Sequence, residues 1–323
     1  MNSKKPLFFI IGPTASGKTS VSIELAKRMD AEIVSADSIQ VYKGLDIGSA
    51  KPTEEERKGI VHHLMGIAEP DEPKFSVARF HELAEACIAD IHRREKQALV
   101  VGGTGLYVNS LTYPLDFTGA AANDAIREKY AVLEEQSPGA AHALLQKVDP
   151  ASAQRLHPND KKRVIRALEV FELTGKPISE NGPGFTTLDE DKLPYRPCIA
   201  GLTMPRELLY HRIELRVDMM IAQGLVEEVE KLVSKGYTVD LPSMQGLGYK
   251  ELIPVVKGEK RLSDAVEDIK RETRRFAKRQ ITWFKRDQRI RWFDITHYAD
   301  PTLLADDIEL YFRSAQKGES YGG

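Results

Sequence analysis

The stretch GPTASGKTS at residues 12–20 follows the apolar run LFFII and precedes VSIELAKRM. It fits G-x-x-x-x-G-K-[ST] between a strand and a helix, the context in which that pattern forms a phosphate-binding loop. Glycines let backbone N–H groups approach phosphate oxygens, and the start of the following helix adds its positive dipole end. Lys18 supplies a point charge and Thr19 a hydroxyl suited to Mg²⁺. Gly12, Pro13, Thr14, Ala15, Ser16, Gly17, Lys18 and Thr19 are therefore the candidate diphosphate-binding residues. Thr19 is the candidate metal ligand, and Mg²⁺ the expected cofactor. Most such loops hold ATP or GTP, so the loop alone leaves open whose phosphates these are.

Working outward, PLFFIIG (residues 6–12) is a short continuous apolar run, as in a strand covered on both faces. The spacing of Val21, Leu25 and Met29 predicts a helix over about 19–29. AEIVSAD (31–37), ALVVGGTG (98–105) and CIAGLTM (198–204) predict three more strands, and a helix is predicted over about 77–94. Strands alternating with helices predict an α/β fold: a parallel sheet flanked by helices, with the ligand site beyond the carboxyl ends of the strands. Gly12, Asp37 and Gly102-Gly103-Thr104 all fall at such ends. Between about 120 and 190 alanine-rich helical patterns replace the strands, for example NDKKRVIRALEVFELTGKP, with a start signal at Asn159 or Asp160 and a stop at Gly175 and Pro177. This predicts a helical insertion domain over 120–190 in a P-loop core of 1–119 and 191–323. The turn-rich NGPGFTTLDEDKLPYRP (181–197) is the expected linker back to the core.

Composition excludes little. The 323 residues carry 46 Lys and Arg against 48 Asp and Glu, with 41% apolar and 29% charged residues, as in ordinary soluble proteins. Cys87 and Cys198 are too few and too separate for a disulfide framework or a zinc module, and read as small apolar residues in a reducing compartment. No apolar run reaches the ~18 residues of a membrane span, and no signal peptide is visible, so a cytoplasmic protein without membrane contact is expected. Charge is uneven, however. Residues 257–291 hold thirteen Lys or Arg against six Asp or Glu. On a helix predicted over about 263–284, Val266, Ile269, Phe276 and Trp283 or Phe284 form an apolar stripe. Arg271, Arg274, Arg275, Lys278 and Lys285 recur on another face, which suits either solvent or a phosphate backbone. Phe117, His142 and Trp292 read as packing residues.

In an NTPase, a second strand usually ends in an acidic residue that helps hold magnesium. Here ALVV runs into Gly102-Gly103-Thr104 instead, and the available carboxylate is Asp37, in SADSIQVYKGLDIGSAKP. Asp-Ser at a strand end can simply cap a turn. Its place on the ligand rim favours chemistry. No group for NTP hydrolysis can be assigned, so the bound diphosphate can instead be a leaving group.

Taken together, GPTASGKT, SADSIQVYKGLDIGSAKP, LVVGGTGLY, LHPNDKKRVIRALEV, RIELRVDMM, LPSMQGLGYKE and FAKRQITWF resemble the successive signature blocks of the tRNA dimethylallyltransferases, also called tRNA isopentenyltransferases. The blocks run in order from residue 12 to residue 284. The resemblance implies transfer of a dimethylallyl group from dimethylallyl diphosphate to N6 of adenosine 37, beside the anticodon of a tRNA. It implies Asp37 as catalytic base, with Thr19 and Arg216 (in RIELR) completing the catalytic set at the diphosphate. It also implies tRNA contacts at Asp37, Ser38, Ile39, Gln40, Thr104, Arg127, Lys162, Arg163, Val164, Ile165 and Arg166. Gln245, Gly246 and Lys250 join them as weaker candidates, with Arg271, Arg274, Arg275 and Lys278 on the basic helix. The expected partners are tRNA, through its anticodon stem-loop, and dimethylallyl diphosphate, with the protein acting as a monomer. A nucleoside or nucleotide kinase, a transferase acting on free adenine nucleotides, and an RNA-binding module with a vestigial loop are the competing readings.

Overall fold

The structure is a computed structural model and describes residues 4–72, 75–114, 123–180 and 192–317. The chain divides into two compact units, residues 1–112 with 194–323 and residues 113–193.

In the larger unit the elements run β1 (Pro6–Ile11), α1 (Lys18–Arg28), β2 (Ala31–Ala36), α2 (Glu54–Arg57), β3 (His62–His63), α3 (Val77–Arg93), β4 (Gln97–Gly102) and α4 (Gly105–Thr112). Among the described residues of the smaller unit follow the helices α5 (Asp124–Gln136), α6 (Ala140–Val148), α7 (Pro150–Arg155) and α8 (Lys161–Thr174). The chain then returns through β5 (Arg196–Thr203), α9 (Arg206–Ala222), α10 (Leu225–Ser234), α11 (Tyr249–Val256), α12 (Leu262–Phe284), β6 (Arg291–Asp294) and α13 (Pro301–Lys317).

The strands form one six-stranded sheet in the order β3-β2-β4-β1-β5-β6, parallel at every pairing. Alternate residues of β1 explain why its sequence is apolar throughout. Leu7, Phe9 and Ile11 face a core built with α3, α10, α11 and α12, whereas Phe8 and Ile10 face a second core with α1 and α13. Both faces are covered, so no position on β1 can be polar without burying an unpaired group. The two strands that the sequence pattern does not reveal, β3 and β6, are the sheet edges. One has only two residues and the other reads RWFD, so neither carries a continuous apolar run.

Register decides the functional geometry. Ile11 pairs with Gly102 and with Gly201, and Ala36 also pairs with Gly102. The next residues, Gly12, Gly103 and Asp37, therefore leave the same rim side by side. At strand spacings of about 4.8 Å, β1 and β2 lie roughly 10 Å apart across β4.

Several packing expectations change in detail. The buried stripe of α12 is Ala265, Ile269, Ala277, Gln280 and Phe284; Val266, Phe276 and Trp283 are only half-buried. A polar residue thus occupies the centre of that stripe. Trp292 packs on Gly201 and on the larger core, and the His142 Nε2 atom lies 3.0 Å from the carbonyls of Ala153 and Leu156. Cys198 is buried and Cys87 half-buried. Phe117 and most of the linker at 181–197 lie outside the described residues.

The smaller unit has its own core of Ala141, Leu145, Ala153, Val164, Ala167 and Leu168. Beside it, Glu169 is fully buried and accepts hydrogen bonds from Asn123 N–H (2.6 Å), Arg127 Nε (2.9 Å) and Nη2 (3.1 Å), and Arg166 Nη1 (2.7 Å). Burial works against its ionisation, but the bonds from Arg166, Asn123 and Arg127 outweigh it and hold the carboxyl below the usual glutamate range. A carboxylate held this way stabilises the fold fully above the unfolded glutamate pKa of about 4.3, and the contribution is lost as pH falls through the lower folded value. Arg127→Met should therefore destabilise the helical unit by about 1–3 kcal/mol at pH 7, and by less at pH 3. Thermal unfolding at the two pH values checks this; an equal loss at both would mean the ion pair contributes nothing.

Candidate functional site: a cationic phosphate loop facing a carboxylate

The loop after β1 bends through backbone that most residues avoid. Gly17, the N-cap of α1, has φ +87°, a left-handed conformation open to glycine at little cost. Ala15 is also left-handed at φ 62°, which is unfavourable for a residue with a Cβ. The bend is held from outside. Ala15 sits in a small buried apolar cluster with Met204, Leu209, Ile213 and Ala277, and its carbonyl accepts a hydrogen bond from Arg212 Nε at 3.0 Å. α1 begins directly after this bend with no side-chain cap, and the N–H groups of a helix's first turn have no acceptor within the helix.

The loop's polar groups are those of an anion site. Lys18 Nζ donates to the carbonyls of Gly12 (3.0 Å) and Pro13 (2.7 Å). Burial, then the positive charge of Arg216, push Lys18 down to about 7, with Asp37 pulling the other way. Arg216 is lowered as well, mainly by burial, with the positive charge of Arg212 adding to this and Asp37 and Glu56 opposing. Three cations thus crowd one partly desolvated place, where an anion is the missing counter-charge. Ser16 Oγ is buried and has no hydrogen-bond partner among the described residues, as expected of a hydroxyl that waits for a ligand. Thr19 is exposed at the start of α1. No group of three or more His, Cys, Asp or Glu among the described residues could cage a metal. A lone hydroxyl beside a phosphate cradle suits Mg²⁺, which keeps waters and takes its other ligands from phosphates.

Asp37 performs the bland role and keeps a hand free. Its Oδ1 accepts from Ile39 N–H (2.9 Å) and Gln40 N–H (3.3 Å), closing the turn after β2. Oδ2 has no hydrogen-bond partner among the described residues, and the charge is felt at Lys18, Arg216 and Tyr107. Thr104 is tied to this turn, its Oγ1 accepting from Ser38 N–H at 3.0 Å. Ile39 lies against Gly246. The phosphate loop, Asp37 to Gln40, Thr104, Arg216 and Gly246 therefore belong to one rim of the larger unit.

The remaining expected RNA contacts differ in what their side chains do. Gln40 uses its amide internally, accepting from Ser35 Oγ and donating to the carbonyls of Ser49 and Ala50. Gln245 is exposed and donates to the Val239 carbonyl, and Lys250 pairs with Glu251. Val164 is core, Ile165 half-buried, and Lys162 and Arg163 exposed, with Arg163 paired to Asp160. Arg127 and Arg166 both serve Glu169. On α12, Arg274 pairs with Glu214, Arg271 with Asp268 and Glu272, and Arg275 with Glu272, while Lys278 is exposed.

Two residues at the loop escaped the sequence reading. Arg212 lies one helical turn before Arg216 in RIELR, and that four-residue spacing on one face was the available signal. Gln280, whose Oε1 accepts from Thr14 N–H at 2.9 Å, was visible only as a polar residue interrupting an apolar stripe.

The fold and site together define an α/β protein with a parallel sheet whose rim joins a cationic glycine-lysine loop to a carboxylate. The IPP transferase family model matches residues 40–287, more than half of the chain. A tRNA dimethylallyltransferase of Pelotomaculum thermopropionicum is 49% identical over 95% of this chain and 96% of its own. Among solved structures, the full-length tRNA isopentenylpyrophosphate transferase of Bacillus halodurans superposes with a TM-score of 0.73 at 40% identity, covering 98% of each chain. A eukaryotic dimethylallyltransferase acting on tRNA gives a TM-score of 0.82 at 29% identity, over 99% of this chain and 81% of its own. The chain belongs to the IPP transferase family.

Because Lys18 sits near 7 without an anion beside it, a diphosphate should restore its proton. Calorimetry in buffers of different ionisation enthalpy should show proton uptake when diphosphate binds at pH 8, and less at pH 6. Lys18→Ala should abolish the difference; a Lys18→Ala protein with unchanged uptake would place the titrating group elsewhere.

Proposed function

We propose that this chain transfers the dimethylallyl group of dimethylallyl diphosphate to N6 of adenosine 37 in tRNA, releasing diphosphate. The carrying observation is the pairing on one rim of a cationic loop with a carboxylate whose Oδ2 is free, in a chain of the IPP transferase family. The end of β4, where an NTPase would place its acidic residue, carries Gly102 and Gly103.

The chemistry follows from the two ends of the rim. N6 attacks C1 of the dimethylallyl group, the C1–O bond breaks, and its electron pair leaves with the diphosphate. Asp37, through Oδ2, accepts the proton that N6 loses, which an exocyclic amine needs because it is a weak nucleophile. The loop N–H groups, Lys18 and Arg216 meet the charge growing on the diphosphate. Thr19 would hold Mg²⁺, which supplies further charge to the leaving group when bound. The acceptor base must leave its stack to reach the rim, and an unpaired anticodon loop lowers that cost. The exposed cations of α12, and Lys162 and Arg163 of the helical unit, are suited to the RNA backbone. No helix among the described residues is long and apolar enough to cross a membrane, and we place the activity in the cytoplasm, on a monomer.

Labelled dimethylallyl diphosphate incubated with unmodified tRNA, with AMP, or with no acceptor tests the reading: label should enter tRNA alone. ATP consumption without label transfer would favour a kinase. In single-turnover transfer, Asp37→Asn should slow the chemical step by about 10²–10⁴-fold while donor and tRNA affinities hold, because Asn keeps the Oδ1 cap and loses the base. Near-parent transfer by that variant would leave Asp37 as a turn cap only. Neutralising Arg271, Arg275 and Lys278 should weaken tRNA binding and flatten its salt dependence, with donor affinity unchanged. An unaltered salt slope would make that face merely solvated.

A further inference from the structure

Gln280 lies on the buried side of α12, 6% exposed, one turn before Phe284 and one after Ala277. Its amide bridges two backbone groups of the rim. Oε1 accepts from Thr14 N–H in the phosphate loop at 2.9 Å, and Nε2 donates to the Gly103 carbonyl beyond β4 at 2.9 Å. An N–H can only donate and a carbonyl only accept, so the two partners fix which end of the amide faces which. Ala277 belongs to the same small buried apolar cluster as Ala15, the left-handed residue of the same loop. A Cβ at Gly103 would overlap the Gln280 amide, so glycine there leaves the room the bridge needs.

We propose that Gln280 is a positioning residue for the donor: it locks the first half of the phosphate loop between the end of β4 and α12, so that the diphosphate meets a preformed cradle. The inference rests on reading the loop as a diphosphate site. Breaking the bridge leaves the part-buried Thr14 N–H and the buried Gly103 carbonyl without their partner and frees the residue that precedes the bend at Ala15. Gln280 touches no reacting atom, and the exposed cations of α12 lie on another face. Its loss therefore falls on donor binding, neither on proton transfer nor on tRNA affinity.

Gln280→Met keeps the length and the apolar packing of the side chain and removes both hydrogen bonds. Calorimetric titration with inorganic diphosphate and Mg²⁺, and steady-state transfer from dimethylallyl diphosphate to tRNA, read the result. The diphosphate affinity and the donor KM should worsen about ten- to hundredfold, as expected for buried groups left unpaired. At saturating donor, kcat should stay within about twofold of the parent, and tRNA affinity should not change. Gly103→Ala, which displaces the amide and leaves Gln280 in place, should move the same two quantities. If Gln280→Met binds diphosphate as the parent does and only unfolds at a lower temperature, the amide is a structural tie and the proposal is overturned. A parent protein that binds diphosphate but transfers nothing would refute the functional reading, and the diphosphate titration would still decide the role of Gln280.

Discussion

The shared register of β2, β4 and β1 is the constraint on which the rest depends. Pairing Ala36 and Ile11 with the same Gly102 brings three chain segments off the sheet at one height. A slip of one residue would turn every side chain of β1 to the opposite face, where a core of different shape is already close-packed, so packing holds the register. The separation between the loop after β1 and Asp37 after β2 is thereby set by backbone pairing, while Arg212 and Gln280 brace the loop itself.

On that frame the loop is electrostatically incomplete. Lys18, Arg212 and Arg216 gather where burial lowers the two groups closest to the loop's interior, and Asp37 only partly offsets them. Such a surplus is costly in an empty site and becomes favourable once an anion with several oxygens enters.

Arginines elsewhere show how one residue type divides its labour. Arg127 and Arg166 neutralise a carboxylate that is buried in the helical unit, and a side chain committed in this way holds the fold before it can meet a partner. Arg271 and Arg275 pair with acids on their own helix at an exposed surface, where such pairs are weak and readily exchanged for phosphate.

The amino-acid sequence by itself determined the features that rest on local pattern. The strand segments of β1, β2, β4 and β5, the glycine-lysine loop and the acidic residue after β2 are all legible because each is a property of consecutive residues. The edge strands β3 and β6 are not, since half-exposed edges need no apolar run. Tertiary structure alone decided which side chains meet: that Arg212 braces Ala15, that Gln280 joins Thr14 to Gly103 across 266 and 177 residues, and that Glu169 claims two arginines. A hydrogen bond between groups so far apart in the chain leaves no periodic trace. It exists only because packing has already carried the helix α12 to the rim.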